Sequence, residues 1–462
     1  MEQQEPNANL FDSIAKSKCL LGIALDDGDG DGQPSTSPPS TAERFFNKVW
    51  QKQPALFAAD IPLRKFQLAM DWDDVADLIH HSHEDTASPP LFFQEGRPIA
   101  DPEAAYGCSP FAAYLDGCSV IVNHADHHHS KIAGLCDELQ LTFPHVYANS
   151  YLTPPRSSAV KSHSDDRDVL VIQVLGRKNW KVYKTVPVSF PFANEQVGKE
   201  GRPPVSREVL DGGICFDGKV SLEPGHVLYM PRGFVHEAST DSDEPSFHIT
   251  IAIATHDWCM STVMTEMVRE RLNECIEYRI PLSIGAGAYQ GGMIDKDLES
   301  SIGNQLAGAK DVLLGITASD LERALRNKYQ LHNSVANAHR CKLDSRKRKA
   351  AGDGEVVGPS AASTLSLDSS LRRSTDEERT SVQLQEGRLR GLTVREETMR
   401  SLMSVLSRMK SEDLPRSTVR NLRNFYEIDP ADQQDLVCEF TLLCFARCCV
   451  ELGGLAVVHM NE

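Results

Sequence analysis

Three His-x-Asp tripeptides, His83–Asp85, His124–Asp126 and His163–Asp165, place an imidazole and a carboxylate two residues apart. In an extended chain, residues i and i+2 point the same way, so such a pair can grip one metal ion. The downstream context of each tripeptide separates them. His83 lies in a polar stretch with no strand after it, and His124 enters a polar, His-rich loop. His163 and Asp165 lead directly into DVLVIQV, an apolar run of strand character. A further ligand must come from elsewhere, and His236, after the strand and tight turn of YMPRGF, starts another strand. Two imidazoles and one carboxylate on one face leave three adjacent positions open, the arrangement of non-haem Fe(II) oxygenases. His163, Asp165 and His236 are thus the candidate metal ligands and catalytic residues.

The open positions call for a co-substrate. 2-Oxoglutarate would chelate iron through its keto acid end, and its distal carboxylate needs a buried cation. Lys178 comes after the Gly176 turn at the start of the returning strand and could point into the same barrel. An exposed hairpin lysine is the alternative, and residue pattern alone leaves the two even. Asn149 and Tyr151 share a face of the preceding strand and could hydrogen-bond a carboxylate or a substrate. In FHITIAIA (247–254), Phe247, Ile249, Ile251 and Ile253 form a bulky face. Thr250, Ala252 and Ala254 form the opposite, small face, which leaves room for a ligand, and Thr250 joins the co-substrate candidates.

The elements that must hold these residues are mostly short strands. They fall near 118–125, 146–152, 168–175, 179–184, 220–239 and 247–254, with turn signals between them and an irregular Pro/Gly-rich insertion over 187–215. The expectation is an α+β chain with a double-stranded β-helix or jelly-roll core and flanking helices. AERFFNKVWQKQPALF reads as an amphipathic entry helix, residues 72–80 as a second short helix, and 126–140 as mostly helical. His80, His81 and His83, and likewise His127, His128 and His129, read as solvated rather than liganding clusters. From Trp258 the apolar period becomes helical, through Met260, Val263, Met264, Met267, Val268, Leu272, Cys275 and Ile276. Further helices are expected near 290–300, 317–331, 394–410, 416–426 and 430–450, with LAVVHM as a closing strand.

The motifs NSYLTPP, HSDDRDVLVIQVLGRKNWKVY, PGHVLYMPRGFVHEAS and FHITIA resemble those of the JmjC-type ribosomal oxygenases, and RFFNKVWQKQPALF resembles the helical entry to that domain. The resemblance covers about residues 41–280. It implies a cupin-like Fe(II)/2-oxoglutarate protein hydroxylase using O2, acting on a histidine of a ribosomal protein. Demethylation of methyl-lysine on histones at the same site is the alternative, and a non-catalytic cupin-like scaffold on chromatin or ribosomes is the second. The resemblance matches His163, Asp165 and His236 to the iron ligands and Lys178 to the residue that pairs with the distal carboxylate. It matches Asn149 and Tyr151 to positions near co-substrate and substrate. One departure is visible. The last strand of the family reads H-x-T-x-S, whereas Ala252 stands here at the serine position. One lost neutral hydrogen bond costs about 0.5–1.5 kcal/mol, enough to weaken binding without abolishing it.

The resemblance and the composition together divide the chain into a disordered leader 1–40, an oxygenase domain 41–257, a helical dimerisation domain 258–339, a linker 340–385 and a helical, winged-helix-like end 386–462. In the leader, Asp27, Asp29 and Asp31 imitate a calcium loop, but Pro38 stands where the bidentate Glu belongs, which excludes calcium binding. The 462 residues carry a net charge of −17, which disfavours strong nucleic-acid binding and suits a basic protein partner, with a homodimer as the expected assembly. The opening residues lack a secretory pattern, and no apolar run approaches the length needed to span a membrane. The twelve cysteines form no CxxC pair and read as reduced thiols. RKRK (346–349) has the composition of a nuclear localisation signal, so nucleus or nucleolus is the expected compartment, with the cytoplasm as the alternative.

Overall fold

The period-two alternation of apolar residues is satisfied by two facing antiparallel sheets. The computed structural model describes residues 41–57, 70–85, 88–106, 109–158, 160–216, 218–240, 244–279, 296–350, 365–366, 368, 370–373, 417–418, 439–451 and 455–457. In chain order the strands of the barrel are β1 (Ala55–Phe57), β2 (Leu91–Gln94), β3 (Arg97–Pro98), β4 (Ser119–Val122), β5 (Val146–Thr153), β6 (Asp168–Leu175), β7 (Lys178–Val182), β8 (Val220–Leu222), β9 (Val227–Met230), β10 (His236–Ser239) and β11 (Ser246–Ile253). The larger sheet runs β1-β9-β6-β11-β5-β4-β2-β3, and the smaller runs β10-β7-β8. This is the jelly-roll arrangement of a cupin-like barrel.

β6 shows why the fold closes this way. Val169 and Val171 join Trp180, Val182, Leu222 and Leu228 between the two sheets. Leu170, Ile172 and Val174 face the other way, into a cluster shared with the flanking helices. A strand buried on both faces reads as a continuous apolar run, as DVLVIQVL does. Phe247, Ile249, Ile251 and Ile253 of β11 enter the same helical-side cluster, which leaves the small face of that strand toward the barrel interior. Each such side chain contributes about 1.5–3 kcal/mol of burial.

The outer layer is helical. Phe45 and Trp50, in and after the helix Thr41–Lys48, pack on Tyr229 of β9 with ring centroids 5.2 and 5.6 Å away. The helix Trp72–His83 starts at a reciprocal capping box between Asp71 and Asp74. The helix Glu439–Glu451 packs on this layer through Phe440, which meets Trp72 and Tyr114 at 4.8 and 5.1 Å. Its Arg447 is almost wholly buried and donates to Asp77 Oδ1 and to the Leu365 carbonyl.

Residues 254–338 form a separate unit built from the helices Met260–Glu274, Ile276–Arg279, Lys296–Leu314 and the first two-thirds of Ala318–Ala350. Arg271 pairs with Asp320 at 2.7 Å, and Asp320 also accepts from the Thr317 amide, capping the last of these helices. Residues 340–350, placed in a linker by composition, instead continue that helix. Among the described residues, no helix is long and apolar enough to cross a membrane. The leader 1–40 and the expected helix 394–410 lie outside the described residues. Within the expected helix 416–426, the described pair Ser417–Thr418 forms a strand beside Ser370–Arg373. Leu455–Val457 joins the same small sheet, as LAVVHM suggests.

Gly176 makes the β6–β7 hairpin possible. Its φ is +61°, and a Cβ there would lie 1.9 Å from the Pro245 carbonyl oxygen. Gly176→Ala should destabilise the fold by about 2 kcal/mol or more in urea denaturation, because left-handed strain and backbone overlap combine. An unchanged midpoint would show that the Pro245 segment yields freely.

Candidate metal centre and co-substrate pocket

The two histidines of the candidate triad meet through their backbones. His163 and His236, far apart in sequence, form an antiparallel bridge in which each amide donates to the other's carbonyl, at 3.1 and 2.9 Å. Their ring centroids are then 4.4 Å apart. The turn that carries His236 is tied down on its other side. Gly233 donates to the Asp165 carbonyl at 2.8 Å, and Arg232 donates from its amide to Asp168 Oδ1 at 2.8 Å. Asp168 is fully buried and also accepts from the Tyr229 hydroxyl. Burial pushes its carboxyl up to about 6 despite those hydrogen bonds.

Side-chain orientation is set by the same segments. His163 Nδ1 donates to the Lys161 carbonyl at 2.7 Å, and His236 Nδ1 donates to the Phe234 carbonyl at 3.1 Å. A carbonyl can only accept, so both protons sit on Nδ1 and both Nε2 lone pairs are free. Those Nε2 atoms flank Asp165, 3.8 Å from Oδ1 and 3.6 Å from Oδ2. Ligand atoms of the three side chains lie within 4.8 Å of one another. Burial, together with the neighbouring imidazole, lowers His163 to about 4, and burial also lowers His236, so both rings are neutral and ready to ligate. Burial opposes ionisation of Asp165, but Lys199 and the two histidines hold it well below the usual carboxylate range. Two neutral, pre-oriented imidazoles and one carboxylate fit a first-row divalent cation.

The triad opens onto a partly open cavity. Its wall includes Tyr151, Lys178, Trp180, His248 and Thr250. Lys178 is 1% exposed, and its Nζ donates to Thr153 Oγ1 at 2.8 Å. The exposed-hairpin alternative for this lysine is therefore overturned. Among the described residues no carboxylate pairs with it, and burial lowers its ammonium to about 7. Two buried atoms on the wall, Trp180 Nε1 and His248 Nδ1, have no hydrogen-bond partner among the described residues, which leaves them open to a ligand. Tyr151 stacks on His248 at 4.8 Å, with 3° between the rings.

Other expectations are corrected. Asn149 does not line the cavity, and its Oδ1 accepts from the His124 amide at 3.1 Å. Its side chain also hydrogen-bonds Tyr151, which does line the cavity. Ala252 is buried against neighbouring strands and does not line the cavity either, whereas the Thr153 hydroxyl meets Lys178. The histidine clusters are not solvated, since His127, His128 and His129 have side chains only 17, 3 and 11% exposed. The 187–215 insertion, legible only as irregular, docks on the triad. Ser164 and Val197 exchange hydrogen bonds, and a Cβ at Gly198 would strike the Ser162 carbonyl oxygen at 2.1 Å. This brings Lys199 Nζ to 2.5 Å from Asp165 Oδ1. No spacing rule points to Lys199, because its partner lies 34 residues away.

Residues 122–260 match the family described as "JmjC domain". The bifunctional lysine-specific demethylase and histidyl-hydroxylase NO66 of Drosophila grimshawi is 26% identical over 69% of this chain and 43% of its own length. The protein of the same description from Dictyostelium discoideum is 34% identical over 38% of this chain and 33% of its own length. The chain thus spans less than half the length of these relatives. Among solved structures, the ribosomal oxygenase YcfD of Escherichia coli is 16% identical, with a TM-score of 0.39, over 61% of this chain and 68% of its own.

Lys199 competes with a cation for the Asp165 carboxylate. Lys199→Met should tighten Co(II) binding at this centre by roughly three- to tenfold in equilibrium dialysis, the scale of a half-exposed ion pair. Unchanged or weaker binding would show that the ammonium withdraws without cost.

Proposed function

We propose that this chain, which carries a JmjC domain, is an Fe(II)- and 2-oxoglutarate-dependent protein oxygenase that hydroxylates a protein side chain, with a ribosomal-protein histidine as the favoured target. The observation that carries this reading is a buried, carboxylate-free Lys178 in the same cavity as a neutral His163/Asp165/His236 set. A buried amine without a counter-ion is costly unless an anion completes it. Fe(II) at the triad would supply dioxygen activation, coupling oxidation of 2-oxoglutarate to succinate and CO2 with oxygen insertion into a C–H bond.

The chain's own residues bind and orient. Lys178, with Thr153 beside it, takes the distal carboxylate of 2-oxoglutarate and aims its keto acid end at the triad. Thr250 and Tyr151 wall the same space, and Trp180, Val169 and Met230 keep water from its inner end. The acidic surface favours approach of a basic protein, such as a ribosomal protein or a histone tail. The same site would demethylate N-methyl-lysine, by hydroxylating the methyl group with loss of formaldehyde, and the relatives' descriptions carry both activities. Met260, Ile276, Leu306, Leu314 and Leu331, all more than 60% exposed on the helical unit, support its role in homodimerisation. RKRK (346–349) supports a nuclear or nucleolar location.

His163→Ala and Asp165→Ala should each reduce succinate formation to background. Mass spectrometry of ribosomal proteins and histones, with and without the active protein, should find one added oxygen on histidine. Formaldehyde release from a methylated peptide without histidine oxidation would shift the assignment to demethylation. Succinate formation retained in both variants would overturn the oxygenase reading.

Lys178 yields a separate test. At pH 8 an amine titrating near 7 is largely deprotonated, and pairing with a carboxylate restores its ordinary affinity for a proton. Binding of 2-oxoglutarate to the metal-loaded protein should therefore take up about 0.9 proton at pH 8, read from calorimetry in buffers of different ionisation enthalpy. Lys178→Met should abolish both binding and uptake while raising the melting temperature of the unliganded protein. Binding without uptake would show that Lys178 is already charged.

A further inference from the structure

A second cluster of metal-ligating side chains lies apart from the cavity, where His124, Asp126 and His127 place ligand atoms within 4.8 Å of one another. Its geometry parallels the first centre. His127 Nε2 is 3.6 Å from Asp126 Oδ2, the same separation that His236 Nε2 keeps from Asp165. Asp126 is 3% exposed, and its Oδ1 accepts from the Ala148 amide at 3.0 Å, which turns Oδ2 toward the histidine. His124 Nδ1 is buried without a hydrogen-bond partner.

Backbone and neighbours hold the three residues in place. His124 adopts a left-handed conformation, φ 50° and ψ 46°, a costly state for a non-glycine residue. Its amide is held by Asn149 and its carbonyl by the His127 amide. His124 and His127 stack at 4.7 Å, with 11° between the rings. His339, from the same compact unit, stacks on the outer face of His127 at 3.5 Å and 4°. Arg340 beside it donates to the Asp126 carbonyl at 2.8 Å. A strained residue, a buried carboxylate and an imidazole with an orphaned ring nitrogen lie together, which ring stacking alone would not require.

We propose that His124, Asp126 and His127 form a second divalent transition-metal site, of the Zn(II), Co(II) or Ni(II) class, structural in role and distinct from the His163 centre. Imidazole and carboxylate donors suit this class of ion. A bound cation would satisfy His124 Nδ1 and lock the β4–β5 connection in its strained form. Solvent would complete the coordination. The site is independent of the oxygenase reading, and its test does not use turnover.

The full chain, stripped with chelator, would be titrated with Co(II), and bound metal counted by dialysis and elemental analysis. Wild type should bind two equivalents, His127→Gln one, His163→Ala one, and the double variant none. A second variant, His124→Gln, repeats the first test at the other imidazole of the cluster. Saturation of wild type at one equivalent that His163→Ala removes and His127→Gln leaves in place would overturn the proposal. So would two equivalents retained in both His127→Gln and His124→Gln.

Discussion

The reciprocal backbone pair between His163 and His236 is the constraint on which the candidate centre depends. It fuses two strand–turn units from distant parts of the chain into one edge of the barrel. Because each residue donates and accepts through its own amide and carbonyl, the rings must leave the same short bridge side by side. The neighbouring contacts extend this pairing. Gly233 on Asp165, and Arg232 on the buried Asp168, stop the PRGF turn from sliding along the first segment. The ligand set is therefore rigid before any ion arrives, and little reorganisation is left for binding to drive.

Burial of charge next to this edge sets the balance between stability and function. Lys178 is held in apolar surroundings with only one hydroxyl for company. Below pH 7 it is protonated in both folded and unfolded chains, and the desolvation cost is complete. Between about 7 and its ordinary 10.5 the unfolded chain holds a proton that the folded chain has lost, so stability rises with pH across that window. A carboxylate bound opposite Lys178 removes this cost, so the same burial that weakens the empty barrel strengthens selection for an anionic co-substrate. Asp168 shows the reverse case. Its carboxyl is pushed up by burial, yet two donors keep it useful as a brace.

In the His-rich segment after β4, burial again acts on imidazoles, lowering His127 and His128. Burial together with His124 and His339 lowers His127 to about 3, so that ring is neutral at neutral pH. Asn149 links this region to the barrel. Its side chain supports the strained His124 on one side, while two residues along the same strand Tyr151 lines the cavity.

Much of the barrel was legible in the order of residues. The continuous apolar run DVLVIQVL announced a strand buried on both faces, and the alternation in FHITIAIA announced which face is bulky and which is small. His163 and Asp165 were recognisable by the strand after them, and Lys178 by the glycine turn before it. The order of residues could not supply anything set by contacts across long separations. Whether Lys178 is buried depends on the second sheet closing over it. Lys199 reaches Asp165 because the insertion folds back onto Ser164 through backbone hydrogen bonds that no local pattern encodes. The histidines near 80 and 127 looked solvated, since a polar stretch reads as a loop, and only the tertiary structure showed His128 as buried and the rest as half-buried. Sequence by itself determined the strands and the donor types, since those depend on local chemistry. Tertiary structure decided which donors meet, since that depends on hydrogen bonds and burial between segments distant along the chain.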